Sequence, residues 1–165
     1  MILDIIKKEF DRRMIEEGCQ RIKQCCESLT EKELWHQANE NTNSIANLIM
    51  HLSGNVRQYI ISGIGSEKDM RERDLEFSNI KRKEIDVIVS ELIKTVRQSS
   101  EVIHKLNLDE LIESRKVQGF DETVLSIIIH VIEHFSYHVG QITYYTKATK
   151  NIDTGYYSGL DLNIT

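Results

Sequence analysis

Six histidines are the residues of this chain best suited to chemistry near neutral pH, and four of them fall where one metal ion could be held. His130, His134 and His138 stand at i, i+4 and i+8, so on a helix they lie one above another on one face. Neutral imidazole suits zinc, nickel or ferrous iron. A rise of 1.5 Å per residue puts His130 and His138 about 12 Å apart, too far to share an ion from a straight helix. Either adjacent pair, His130 with His134 or His134 with His138, can chelate. A third ligand must then come from another element to give the open-position site typical of catalytic metals. His51, between Leu48 and Leu52 in a separate apolar segment, is the best outside candidate, since a buried histidine there needs a partner.

Other arrangements compete with this one. Glu33-x-x-His36 and Glu101-x-x-His104 both have the spacing of di-metal carboxylate bundles. Glu33 is better used in a helix cap, however, and His104 falls about one turn from the end of its segment. Arg97 and His104 share a spacing with some helical ribonucleases. A formal net charge of −5 argues against a nucleic-acid partner, which needs clustered Lys and Arg. Lys81, Arg82 and Lys83 are followed at once by Glu84 and Asp86, the pattern of a solvated face. Asn55, His130 and Gln141 are candidates to orient ligands or substrate, or in the case of His130 to relay a proton, set against ordinary interior hydrogen bonding. No Ser-His-Asp set, phosphate loop or readable carboxylate pair offers a better catalytic centre.

The elements that must position these groups read as helices. The chain has 165 residues, enough for one domain with a real core, and contains no proline, which permits long helices. Leu3 to Ser28 carries Ile6, Phe10, Met14, Ile22 and Cys25 on one stripe that continues to Leu29. Thr30 and Glu33 form a capping-box pattern for a short helical turn. Asn43 or Ser44 then caps a second segment with Ile45, Leu48, Leu52, Val56 and Tyr59 inward, ending near Gly63 and Gly65. The charged stretch Gly65 to Asn79 reads as an exposed loop. A third segment, Ile80 to Leu106, turns Ile85, Val89, Leu92, Val96 and Ile103 inward. Leu108 to Phe120 has no legible conformation beyond a turn at Gly119, after which Asp121 or Thr123 caps a fourth segment, Glu122 to Thr146. Leu125, Ile128, Ile132, Phe135, Val139 and Ile142 form its stripe. The tail after Lys150 reads as an irregular lid or strap.

Four amphipathic segments and no strand-like alternation predict an all-α four-helix bundle over residues 1–165. The apolar runs are too short to span a bilayer and no secretory leader is evident, so the default expectation is a cytoplasmic protein. Cys19, Cys25 and Cys26 lack metal-site spacing and are odd in number, which predicts reduced packing or surface thiols.

Two stretches then carry a resemblance. Residues 43–55, NSIANLIMHLSGN, and residues 130–142, HVIEHFSYHVGQI, resemble the DinB-like (YfiT-like) superfamily of metal-binding four-helix bundles, over nearly the whole chain. The segment Arg73-Asp74-Leu75-Glu76-Phe77 is similar to one in an uncharacterised bacterial branch of it. The resemblance implies that His51, His134 and His138 are the metal ligands. It further implies a homodimer acting on a small molecule, as a metal-dependent transferase of a low-molecular-weight thiol such as bacillithiol or mycothiol; an ion that deprotonates a bound thiol or water would equally serve a hydrolase. Better-known members commonly have Asn before the first ligand of the helix-four pair and Arg after the second, where this chain has Glu133 and Val139. A bundle in which the metal only staples helices, or which binds a small molecule without catalysis, is the competing class.

Overall fold

The computed structural model describes residues 2–78 and 83–164, and within them the chain is mostly helical with one small two-stranded sheet. The first long helix, α1, runs through Ile2–Asp11, a π-helical stretch Arg12–Cys19 and Gln20–Ser28. α2 is the short Glu31–Leu34 helix, and α3 runs through Ile45–Val56 and a second π-helical stretch, Arg57–Ile64. After α4, Arg73–Phe77, come α5, Ile85–Lys105, and a 3-10 turn at Asp109–Ile112. Strands β1, Ser114–Val117, and β2, Phe120–Thr123, then lead directly into α6, Val124–Lys150.

Local chemistry fixes where these helices begin. Thr30 and Glu33 form a reciprocal capping box, and so do Ser44 and Asn47, so that Ser44 rather than Asn43 starts α3. Thr123 rather than Asp121 caps α6, with its side chain accepting from the Ser126 N–H. The expected start of the third segment at Ile80 and the basic pair Lys81 and Arg82 lie outside the described residues; α5 is seen from Ile85.

α1 and α3 each pack against both α5 and α6, so the four long helices share one apolar core. Phe10, Met14 and Ile22 of α1 meet Ile49, Leu52 and Ile60 of α3, Leu92 and Ile103 of α5, and Ile127, Phe135 and Ile142 of α6 there, all essentially removed from water. Burying such side chains is worth about 1.5–3 kcal/mol each, and this is what holds the long helices together. The wider π-helical turn of α3 brings Tyr59, Ile60, Ile61 and Ile64 all into buried positions, more than a regular stripe would bury. Cys19, Cys25 and Cys26 are free thiols in this interior, and burial pushes the Cys19 and Cys26 thiols up to about 12.

Three regions depart from the pattern read in the sequence. Residues 114–123, not legible in the sequence as far as Phe120 and expected to enter the last helix at Glu122, form an antiparallel hairpin with Val117 opposite Phe120 across the Gln118-Gly119 turn, and the helix begins at Val124. Both turn residues have positive φ, 51° and 86°, which suits Gly119 and is uncommon for a glutamine. The connection before α5 is not simply exposed: it folds back as α4 against α3 and buries Glu76. The tail does act as a strap, but across α1 and α6. Tyr156 places its hydroxyl 2.9 Å from Thr143 Oγ1 and 3.3 Å from Cys25 Sγ, while Arg21 lies over its ring. No helix among the described residues is long and apolar enough to cross a membrane.

Candidate metal centre

α3 and α6 face each other where His51 and the helix-six histidines meet. His51 Nε2 lies 2.9 Å from His134 Nε2, and the His51 ring centroid is 5.1 Å from that of His134 and 5.2 Å from that of His138. The three rings stand nearly edge-on to one another, with one nitrogen of each inside a sphere where all lie within 4.8 Å of one another. Nitrogens about 2.0–2.1 Å from a common tetrahedral ion are about 3.3 Å apart, so the observed spacings bracket what a bound ion requires. Among the described residues no other group of three His, Cys, Asp or Glu side chains comes together in this way.

The electrostatics suit a cation. Burial pushes the His134 pKa down to about 4, helped by the neighbouring His138, His51 and His130 and by Arg71. Burial also lowers His138, against a hydrogen bond with Gln141 that raises it. Both rings are therefore neutral near pH 7 and offer lone pairs without first losing a proton. Three imidazoles this close, two of them held neutral by their surroundings, could bind a divalent metal ion.

The outer nitrogens are held from two sides. Gln141 Oε1 lies 2.7 Å from His138 Nδ1. Behind His51, Nδ1 lies 3.0 Å from Glu76 Oε2, and Arg71 grips that carboxylate in a fork, Nε to Oε1 at 2.6 Å and Nη2 to Oε2 at 2.7 Å. Arg71 Nη1 also donates to Gln58 Oε1 at 2.8 Å. Asn47 Nδ2 donates to the Glu76 carbonyl at 2.9 Å, so the backbone of α4 is pinned as well. Burial raises the Glu76 carboxyl, but hydrogen bonds from Arg71 and His51 outweigh it and the net shift is downward. Gly54 makes room for this arrangement. A Cβ there would come within 1.9 Å of Glu76 Oε1 and 2.9 Å of Arg71 Nε.

Sequence reasoning passed over Arg71 and gave no role to Glu76, although Glu76 lies in the Arg73–Phe77 segment that carried part of the resemblance. Their signal lay in a charged connection whose burial depends on packing against α3. Of the orienting candidates, Gln141 touches a cluster histidine through a hydrogen bond, and His130 stacks on His134 with centroids 5.6 Å apart and has the Tyr59 ring 4.7 Å away at a tilt. Asn55 is buried, and its Oδ1 has no hydrogen-bond partner among the described residues.

The competing Glu-x-x-His pairs do not converge. Glu33 is occupied by its capping box and by Lys150 at 2.7 Å, and His104 is exposed and bonds Asp11 at 2.7 Å. Arg97 lies on the surface of α5, away from the cluster. His36 instead lines a groove of about 490 Å³ beside His138, with Asn43, Tyr137, Gln141 and Tyr144. That lining offers aromatic and amide groups and no Lys, Arg, Asp or Glu.

Comparison with other proteins agrees with the helical architecture. A crystal structure of a conserved protein from Enterococcus faecalis is similar over 92% of this chain and 99% of its own, with a TM-score of 0.69 and 12% identity, a likeness of fold alone. No curated protein is similar in sequence. The model of the family described as a protein of unknown function, DUF1572, matches residues 4–158, and the chain therefore belongs to the DUF1572 family.

Proposed function

We propose that this protein is a single-domain DinB-like four-helix bundle that binds one divalent metal ion through His51, His134 and His138. The observation that carries this reading is the meeting of three imidazoles from two helices, with Nδ1 of His51 and of His138 each engaged by a polar side chain. Metal-ligating histidines are commonly tied down in this way. The mutual packing of α1, α3, α5 and α6 supports the bundle.

Three protein ligands leave room for a fourth partner, so the reading extends to an enzyme. A bound divalent ion would favour the anionic form of a thiol or water, which suits thiol transfer or hydrolysis. His51, His134 and His138 would orient that ion, and the buried surroundings would limit access of bulk water. The uncharged groove beside His138 fits a small-molecule substrate with aromatic or amide character. The acidic net charge disfavours nucleic acid, and a homodimer in the cytoplasm completes the proposal.

Metal analysis of protein purified without a histidine tag tests the reading. One zinc, nickel or iron ion per chain is expected, lost in the His51→Ala, His134→Ala and His138→Ala variants. Sub-stoichiometric metal with no change in the variants would refute it. Consumption of a reduced low-molecular-weight thiol with an electrophile panel, compared between loaded and chelated protein, tests the transferase step. No difference across that panel or a parallel ester and amide panel would leave a binding protein.

A further inference from the structure

We infer that Arg71 and Glu76 form a positioning unit for His51 that fixes its tautomer and makes it the anchor ligand of the metal site. The inference rests on the metal-binding reading above, and extends it to two residues outside the histidine motifs.

A carboxylate can only accept hydrogen bonds. With Glu76 Oε2 3.0 Å from His51 Nδ1, two acceptors would face each other in a buried site unless Nδ1 carries the proton, which leaves the Nε2 lone pair directed at the cluster. Nε2 is the nitrogen that lies 2.9 Å from His134 Nε2. In the opposite tautomer Nδ1 would turn a lone pair toward the carboxylate, and the nitrogen facing the ion would be blocked by its own proton.

The Arg71 fork makes this arrangement specific. A bidentate guanidinium fixes the plane and position of the carboxylate, and its charge offsets that of Glu76. The side chain of Arg71 is only 3% exposed and that of Glu76 10%, so neither is a loose surface partner. Arg71 Nη2 also lies 3.2 Å from His51 Nδ1. The bond from that nitrogen to Glu76 Oε2, at 2.7 Å, is the shorter of the two. Three separate elements converge to build the unit: α3 supplies His51, Asn47 and the space at Gly54, the connection supplies Arg71, and α4 supplies Glu76.

His138 has a weaker version of the same device, since its Nδ1 faces the neutral amide oxygen of an exposed glutamine. The ligands are therefore unequal, with His51 the most firmly oriented of the hydrogen-bonded pair. Partners of this kind change metal affinity by about 10- to 100-fold in other metal sites.

The test measures zinc affinity by chelator competition and histidine tautomers by long-range ¹H–¹⁵N correlation, in the full chain. In metal-free wild-type protein, His51 is expected as the Nδ1–H tautomer. Glu76→Gln is expected to weaken zinc binding by about 10- to 100-fold at unchanged stoichiometry and to alter the visible spectrum of the cobalt-loaded protein, with Gln141→Ala weaker in effect. Finding His51 as the Nε2–H tautomer in wild type overturns the inference whether or not the variant folds. So does a Glu76→Gln affinity within twofold of wild type. A wild-type chain that takes up no stoichiometric metal refutes the underlying metal reading instead.

Discussion

The histidines of α3 and α6 and those of the two Glu-x-x-His pairs all stand at spacings that metal sites use, yet they meet opposite fates. His51, His134 and His138 lie on helix faces turned toward each other, and their nitrogens meet. Glu33 and His104 lie at helix ends, where Thr30, Lys150 and Asp11 take up their hydrogen bonds. Spacing within one helix places side chains on a common face. Only the packing of a second helix against that face turns spacing into a site.

The sharpest way to break this contrast is to remove one member of each set. His134→Ala is expected to cut zinc affinity at least about a hundredfold, since an ion losing one of three protein ligands loses more than it does with an outer partner. His104→Ala should leave metal stoichiometry and affinity unchanged. Chelator competition on both variants checks the pair, and equal losses would dissolve the distinction.

Gly54→Ala comes next in size. The added methyl must displace the Glu76 carboxylate, so overpacking is expected to cost about 1–3 kcal/mol of stability in urea unfolding and to weaken zinc binding alongside. A variant as stable as wild type with full affinity would show that α4 can move away without consequence.

Acidification sharpens the comparison through His134. Its pKa falls to about 4 in the folded protein, against an ordinary value of 6.5. The unfolded chain therefore takes up the proton first, and the stability of metal-free protein is expected to fall as pH drops from about 6.5 toward about 4, levelling off below. Glu76, also lowered from its ordinary value of 4.5, adds a loss of the same sign that begins near 4.5 and continues below the point where the His134 contribution levels off. Urea midpoints across this range check the sign, and His134→Ala should flatten the upper part of the slope.

The smallest effect belongs to the outer pair. His104→Ala is expected to change stability by no more than about 0.5–1 kcal/mol, because its contact with Asp11 is solvent-exposed. A larger loss would mean that the α1–α5 seam depends on that contact.

Much of the helical framework was legible because its signals are local. Thr30 with Glu33 and Ser44 with Asn47 satisfy helix-start N–H groups within a few residues, and the apolar stripes repeat at helical spacing. The hairpin was not legible. Its strands are four residues each, and Val117 is the one fully buried position of the eight, so no two-residue alternation marks it. Val117 finds its place only against α3, where a Cβ on Gly63 would come within 2.4 Å of its Cγ2.

By itself the sequence determined which residues share a helix face, because backbone geometry sets that spacing wherever a helix forms. It thereby limited His130, His134 and His138 to two possible chelating pairs. The tertiary structure decided that His134 and His138 join His51, that Glu33 and His104 are engaged elsewhere, and that Arg71 and Glu76 close behind the site. The reason is physical: a charged segment such as 71–77 is favourable in water by default, and it becomes buried only where a folded surface supplies a counter-charge, an amide and a glycine gap together.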